Sequence, residues 1–163
     1  MSLHKKLWIA IIVLLLLVFS GSFLVSTVSA KSYLEQQISM KNADNAAALA
    51  LSLTQQGADD ILPELTLSAQ FDTGFYELIE LRDPEGKLKI LRQDEQPIDQ
   101  APSWFVTAFE INVDAGIATV QSGWQQVGTL TLRSHSKFAY ERLWQSAQML
   151  ALIFLVAMLI SGF

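Results

Sequence analysis

Cysteine is missing from the chain altogether, and histidine occurs only twice. The first absence excludes disulfide scaffolds, thiolate zinc sites and cysteine nucleophiles. The second leaves His4, in the N-terminal tail, and His135, so a histidine-rich metal site is not available. Charge is also scarce. Only 17% of the 163 residues are Asp, Glu, Lys or Arg, against roughly 25% in ordinary globular chains. Basic residues are outnumbered 11 to 16, for a net charge of −5. A nucleic-acid binder needs clustered Lys and Arg to neutralise phosphates, so that class is excluded. There is no GxSxG, GxGxxG or Walker-type phosphate loop, and no DxDxDG calcium loop.

What is abundant is apolar, at 51% of residues, and it is unevenly placed. Leu7 to Val28 contains no charged residue. About 20 such residues cross the hydrocarbon core of a bilayer as a helix. A second apolar segment runs from about Trp144 to Phe163, amphipathic until Gln148 and uniformly apolar after it. It stops without a charged flank, so the chain is expected to continue into a cytoplasmic portion. His4, Lys5 and Lys6 precede the first segment, and every acidic residue lies between Lys31 and Glu141. The positive-inside rule then puts the N-terminus in the cytoplasm and the middle outside. The expected organisation is a cytoplasmic tail (1–6), a first span (7–29), a periplasmic domain (30–143) and a second span (144–163), in a bacterial inner membrane. Val28-Ser29-Ala30 also has the small residues of a signal-peptidase site. The apolar stretch is longer than a usual signal core and is interrupted by Ser20, Gly21 and Ser22, which favours an uncleaved span. Ser22, Ser26 and Ala30 recur at i+4, a spacing that lets membrane helices approach closely but is equally ordinary within a span.

The middle reads as an α+β domain. From Ala30 to about Thr54 there is neither Pro nor Gly, and Ala43, Ala46, Ala47, Ala50, Leu51 and Leu53 fall at helical spacing. This helix is expected to continue the first span and to end at Gln55-Gln56-Gly57. A short helix is expected to begin near Asp59-Asp60, with Pro63 in its first turn, and to end near Phe71 to Gly74. Phe75–Arg82 and Lys87–Arg92 flank Asp83-Pro84-Glu85-Gly86, which is turn chemistry, and read as a hairpin. A polar loop with two prolines follows, then a short helix over Pro102–Phe109. Ile111–Gln121 and Val127–Arg133 read as a second hairpin, and helix resumes near Ser136. An antiparallel sheet with helices on one side, of PAS or Cache type, is the expected architecture.

Catalytic residues are hard to find in this stretch, and no enzymatic activity is expected of it. A Ser-His-Asp arrangement would have to use His135, which reads as a partly exposed linker residue. The carboxylates Asp59, Asp60, Asp94, Glu95 and Asp99 read as helix-start or surface charge, with no metal site among them. Trp8 and Trp144 sit at the ends of the apolar segments, as interfacial anchors do. Trp104 lies among Phe105, Val106 and Phe109, and is expected in the core. Trp124 differs: Ser122, Gly123, Gln125 and Gln126 around it are small or polar, and it falls at the expected hairpin tip. It either folds back on its own domain or offers a large apolar ring to a partner. Trp is enriched among residues that dominate protein–protein binding.

Several segments, in order along the chain, resemble LapD-type inner-membrane receptors. They are Met1-Ser2-Leu3, Phe19-Ser20-Gly21-Ser22-Phe23, Ala47 to Thr54, Phe71 to Tyr76, Ser122 to Gly128 and Phe138 to Trp144. The resemblance implies a periplasmic PAS-like domain between two spans, followed by cytoplasmic HAMP, GGDEF and EAL modules, of which the EAL-type module binds cyclic di-GMP. It implies inside-out signalling, in which nucleotide binding rearranges a homodimer so that the periplasmic domain captures a LapG-type calcium-dependent cysteine protease. A surface adhesin, and with it the biofilm, is thereby preserved. Such receptors insert a hairpin-loop tryptophan into the protease. Gly123-Trp124 matches that position, so Trp124 with Ser122, Gly123, Gln125 and Gln126 forms the expected partner-binding set. No cofactor is expected on this stretch. The competing reading is an inward-signalling sensor, whose PAS-like core binds a small molecule and controls a cyclic di-GMP enzyme or a histidine kinase.

Overall fold

The structure is a computed structural model that describes residues 3–56, 61–94 and 97–161. A single helix, α1 (Leu3–Gln56), runs from the first apolar segment through the Ala-rich stretch. At 1.5 Å per residue its 54 residues reach roughly 80 Å. Nothing along it breaks a helix, and its lone glycine, Gly21, has open space around it. Helix α2 (Ile61–Phe71) follows, with Pro63 in its first turn as expected. The expected start at Asp59-Asp60 lies outside the described residues.

Strands β1 (Tyr76–Arg82) and β2 (Leu88–Gln93) form the first hairpin. A short helix α3 (Ser103–Ala108) separates it from the second, made by β3 (Gly116–Ser122) and β4 (Gln125–Ser134). Helix α4 (Lys137–Ser161) closes the chain. The four strands form an antiparallel sheet in the order β2-β1-β4-β3. Residues of period two on one face are buried: Ile79 and Leu81 opposite Leu132 and Leu130, with Val120 beyond. Ala46, Ala50 and Leu53 of α1 and Leu67 of α2 cover them. This is the expected α+β arrangement, with both helices on one side of the sheet. α1 and α4 are also long and apolar enough to cross a membrane.

A second cluster sits where α1 and α4 run side by side. Phe105, Ile111, Ala139, Tyr140, Leu143 and Ala147 are buried there, with Phe23, Ala30, Leu34 and Ile38 of α1 packed against them. Thr27 is buried in the same stretch of α1, whereas Ser22 and Ser26 are exposed. Of the i+4 set Ser22, Ser26 and Ala30, only Ala30 packs within the chain.

One strand is shorter than its sequence implies. Residues 111–115 were expected to begin the third strand, yet only Gly116–Ser122 pairs. The reason is a competing set of acceptors. The backbone N–H of Ile111 donates to the Tyr140 hydroxyl (2.8 Å), that of Asn112 to Glu35 Oε1 (2.8 Å), and that of Asp114 to Ser39 Oγ (3.0 Å). The segment climbs along α1 on side-chain acceptors and reaches the sheet only at Gly116. There the strand approaches the helix so closely that a Cβ on Gly116 would lie 1.9 Å from the Asn42 carbonyl oxygen.

Candidate partner-binding site at the hairpin tip

The β3–β4 register brings Ser122 opposite Gln125, so the connection is only Gly123-Trp124. This is tighter than the five-residue loop expected from Ser122 to Gln126. Gly123 has φ +62°, and among the described residues no non-glycine residue has positive φ. Positive φ at the first central residue alone is the type II′ pattern, whose twist matches the flanking strands and which prefers Gly there. The second central residue is Trp124, and its exposure reaches 106% of the reference value. The indole has no self-contact to shield it. Of the two readings open at the sequence level, the ring projects from the fold rather than folding back on it.

Polar groups surround the ring. Gly123, Gln125 and Gln126 are exposed and Ser122 is half-buried. Gln126 Nε2 donates to Thr129 Oγ1 at 3.3 Å, back along its own strand. Just behind the tip the register shifts: Val120 pairs with Gly128 and Gln121 with Gln126, leaving Val127 as an extra residue. Such a bulge increases local twist and re-aims the residues beyond it. The tip is also tied to α1. Thr54 Oγ1 donates to Ala50 O (2.8 Å) and accepts from the Gln121 N–H (3.2 Å).

Further down α1, fully buried Asn42 joins three segments. Its Nδ2 donates to Asp114 O at 2.8 Å, and its Oδ1 accepts from Ser134 N (3.2 Å) and Ser134 Oγ (2.6 Å). Asn45 Nδ2 donates to the Tyr76 hydroxyl at 3.0 Å. The helix that runs out of the membrane segment is thus bonded to both arms of the hairpin and to its tip. Asn42 and Thr54 were not apparent as special from the sequence, where each is a polar residue on an Ala-rich helix. The glycine that opens β3 was the available signal, because it marks a close backbone approach.

Two expectations for single residues are corrected. His135 is buried at 5% exposure, not a partly exposed linker residue. It sits at the end of β4, its N–H bonded to Phe75 O (3.0 Å), and Nε2 has no partner. Burial holds its pKa below the ordinary histidine value and the nearby Lys137 charge lowers it further, against opposing pulls from Glu77 and Asp94. Of the two adjacent serines, Ser134 has its Oγ committed to Asn42. Trp104 is the second correction. It was expected in the core, yet it is 62% exposed, and its neighbour Phe105 is the residue that is fully buried. A six-residue helix presents one narrow face to the interior, and adjacent positions on a helix diverge by about 100°, so only one of the two rings can point inward.

Comparison with known proteins places this geometry. Residues 23–144 match the family model for the LapD/MoxY periplasmic domain. The chain belongs to this family. The matched range takes in the whole sheet, the hairpin tip and the periplasmic parts of α1 and α4. The LapD periplasmic domain of Pseudomonas fluorescens, a solved structure, is similar at 34% identity over 76% of this chain and 98% of that one, with a TM-score of 0.43. No curated protein matched. The chain therefore carries a LapD-like periplasmic domain flanked by two helices able to cross the inner membrane.

Proposed function

We propose that this domain is the outward-facing output of a cyclic di-GMP receptor, and that it captures a LapG-type calcium-dependent cysteine protease through Trp124. The observation that carries the reading is the fully exposed indole at the two-residue turn. Keeping a large apolar ring in water on a glycine-dependent turn costs solvation and gains no packing, which is the economy of a binding anchor and not of a core residue. Ser122, Gly123, Gln125 and Gln126 form its polar rim, the usual surround of a buried hot spot. Capture needs no catalytic group on this side, and the domain acts without enzymatic activity of its own.

α1 supplies the connection to a cytoplasmic signal. It is continuous from the membrane segment to Thr54, which holds Gln121 three residues before the ring. A displacement or rotation of the helix between two dimer states moves the tip with it. Cyclic di-GMP bound by a cytoplasmic part of the receptor selects between those states only to the extent that it binds one more tightly. The rival sensor reading needs a ligand chamber under the sheet. Under the sheet Ile79, Leu130, Leu132, Ala46 and Leu67 close on one another at 0% exposure, so that reading would have to put its ligand in the half-open cavity of about 350 Å³ beside this core, lined by Asn45, Tyr76, Ser134 and His135 among others.

The test is co-purification of the protease with the membrane-embedded chain, comparing Trp124→Ala and Trp124→Glu with the parent. Loss of capture in both variants supports the proposal. Undiminished capture refutes the role of the ring.

A further inference from the structure

We infer that α3 is a footing on the membrane: the exposed Trp104 ring inserts into the headgroup region of the outer leaflet of the bilayer crossed by α1 and α4. The inference depends on those two helices spanning a membrane and is independent of protease capture.

Height is the first argument. Trp104 meets Trp144 edge to face, ring centroids 5.8 Å apart at 84°, and Phe105 meets Trp144 at 4.9 Å. Trp144 stands two residues past Arg142, the last charged residue of the chain. On α1 the corresponding boundary is Lys31, since no charge lies between it and Lys6. The cluster that holds Phe105 extends below both boundaries, to Phe23 on α1 and Ala147 on α4. α3 is therefore packed at the level where the helix pair changes from charged to charge-free.

Composition is the second argument. From Gln100 to Phe109 the segment carries no charge, whereas Asp99 and Glu110 bracket it. Such a gap does not by itself mark a membrane face, since the second hairpin is uncharged from Ala115 to Leu132. What α3 adds is its place at the span boundary, where charged groups are costly and an indole, apolar with one N–H donor, suits the headgroup layer best. The third argument is that Trp104 is 62% exposed although its surroundings are apolar. The domain leaves this ring uncovered where it adjoins the surface formed by the spans. Trp104 and Trp144 then make one aromatic belt across two elements, and the periplasmic domain stands on α1, α4 and α3 together. Its tilt relative to the bilayer is fixed by the third contact, so movement of the helix pair reaches the hairpin tip as a change of height or rotation and not as a free swing.

The experiment uses the full chain in nanodiscs with a variant that keeps Trp104 as its only tryptophan (Trp8→Phe, Trp124→Phe, Trp144→Phe). A matching variant that keeps only Trp124 is the internal control. Lipids brominated at acyl carbons near the headgroup should quench most Trp104 emission and leave it shielded from aqueous iodide. The Trp124 control should show the reverse. Because the chain has no cysteine, a nitroxide on Ser103→Cys gives a second reading without disturbing any tryptophan. Its collisions should favour oxygen over an aqueous nickel chelate. Trp104 quenched by iodide as strongly as Trp124, or shielded from both iodide and brominated lipid as a protein partner or second copy would shield it, overturns the inference. A label on Ser103→Cys that favours the nickel chelate does the same.

Discussion

Trp124 and Trp104 are both uncovered, but at different ends of the periplasmic domain and for different reasons. One crowns a hairpin beside Thr54, and the other lies against Trp144 beside Ala30 and Phe23. From residue 30 to residue 54 of α1 is about 36 Å of helix. Trp124 stands among polar residues on a turn that buries nothing, so its removal takes nothing from the fold. Trp104 stands beside a ring that is wholly buried, and its own exposure follows from the shortness of α3. Apolar context in the sequence thus misleads at one site and polar context informs at the other. What separates them is the surface each faces: water at the tip, the bilayer boundary at the base.

Between these ends lies a waist of close backbone contact, and substitutions there should show the largest effects. Gly116→Ala puts a methyl group 1.9 Å from the Asn42 carbonyl oxygen, where neither backbone can yield. A loss of about 3 kcal/mol or more is expected, read as a fall in the thermal unfolding midpoint. Asn42→Leu leaves the Asp114 carbonyl and the Ser134 N–H and hydroxyl without their partner. It should cost about 2–3 kcal/mol in the same measurement. If both variants unfold like the parent, the division between a structural waist and a functional tip is broken.

The tip should behave in the opposite way. Trp124→Ala should weaken protease binding by about 2 kcal/mol or more, near 30-fold in Kd, while stability changes by less than about 0.5 kcal/mol. Gly123→Ala tests the turn behind the ring. A side chain at φ +62° should cost about 1 kcal/mol and misdirect the indole, so that a small stability loss accompanies weaker capture.

The smallest expected effect is a dependence on pH at His135. Its pKa is lowered in the folded state by burial and by Lys137. The unfolded chain therefore binds the proton first as pH falls below about 6.5. Stability from the neutral ring is complete above that value and declines as pH drops from there toward the folded-state pKa. Thermal unfolding followed between neutral pH and pH 5 should show this decline, and His135→Gln should flatten it.

Much of the architecture was legible because local signals agreed with one another. The uninterrupted helix needs only the absence of Pro and the single glycine of the first span. The first hairpin announces itself in Asp83-Pro84-Glu85-Gly86, where Gly86 N–H bonds to Asp83 O at 3.0 Å. Trp124 was visible as an apolar residue in a polar tract. Of the features that were not legible, three depend on contacts distant in sequence. Residues 111–115 have strand-like composition but give their N–H groups to Glu35, Ser39 and Tyr140. Asn42 looks like a polar residue on the wet side of a helix until Asp114 and Ser134 fold onto it. His135 looks like a linker residue until β1 and α4 enclose it.

The central claim is that the Trp124 ring passes from water into a partner's pocket. The most direct measurement is the emission of the variant retaining Trp124 alone, followed as a tryptophan-free, calcium-loaded LapG-type protease is added to the chain in nanodiscs. The account predicts a saturable blue shift together with loss of iodide quenching. Binding of the protease, seen by an independent probe, with the Trp124 emission unchanged and still open to iodide would contradict it.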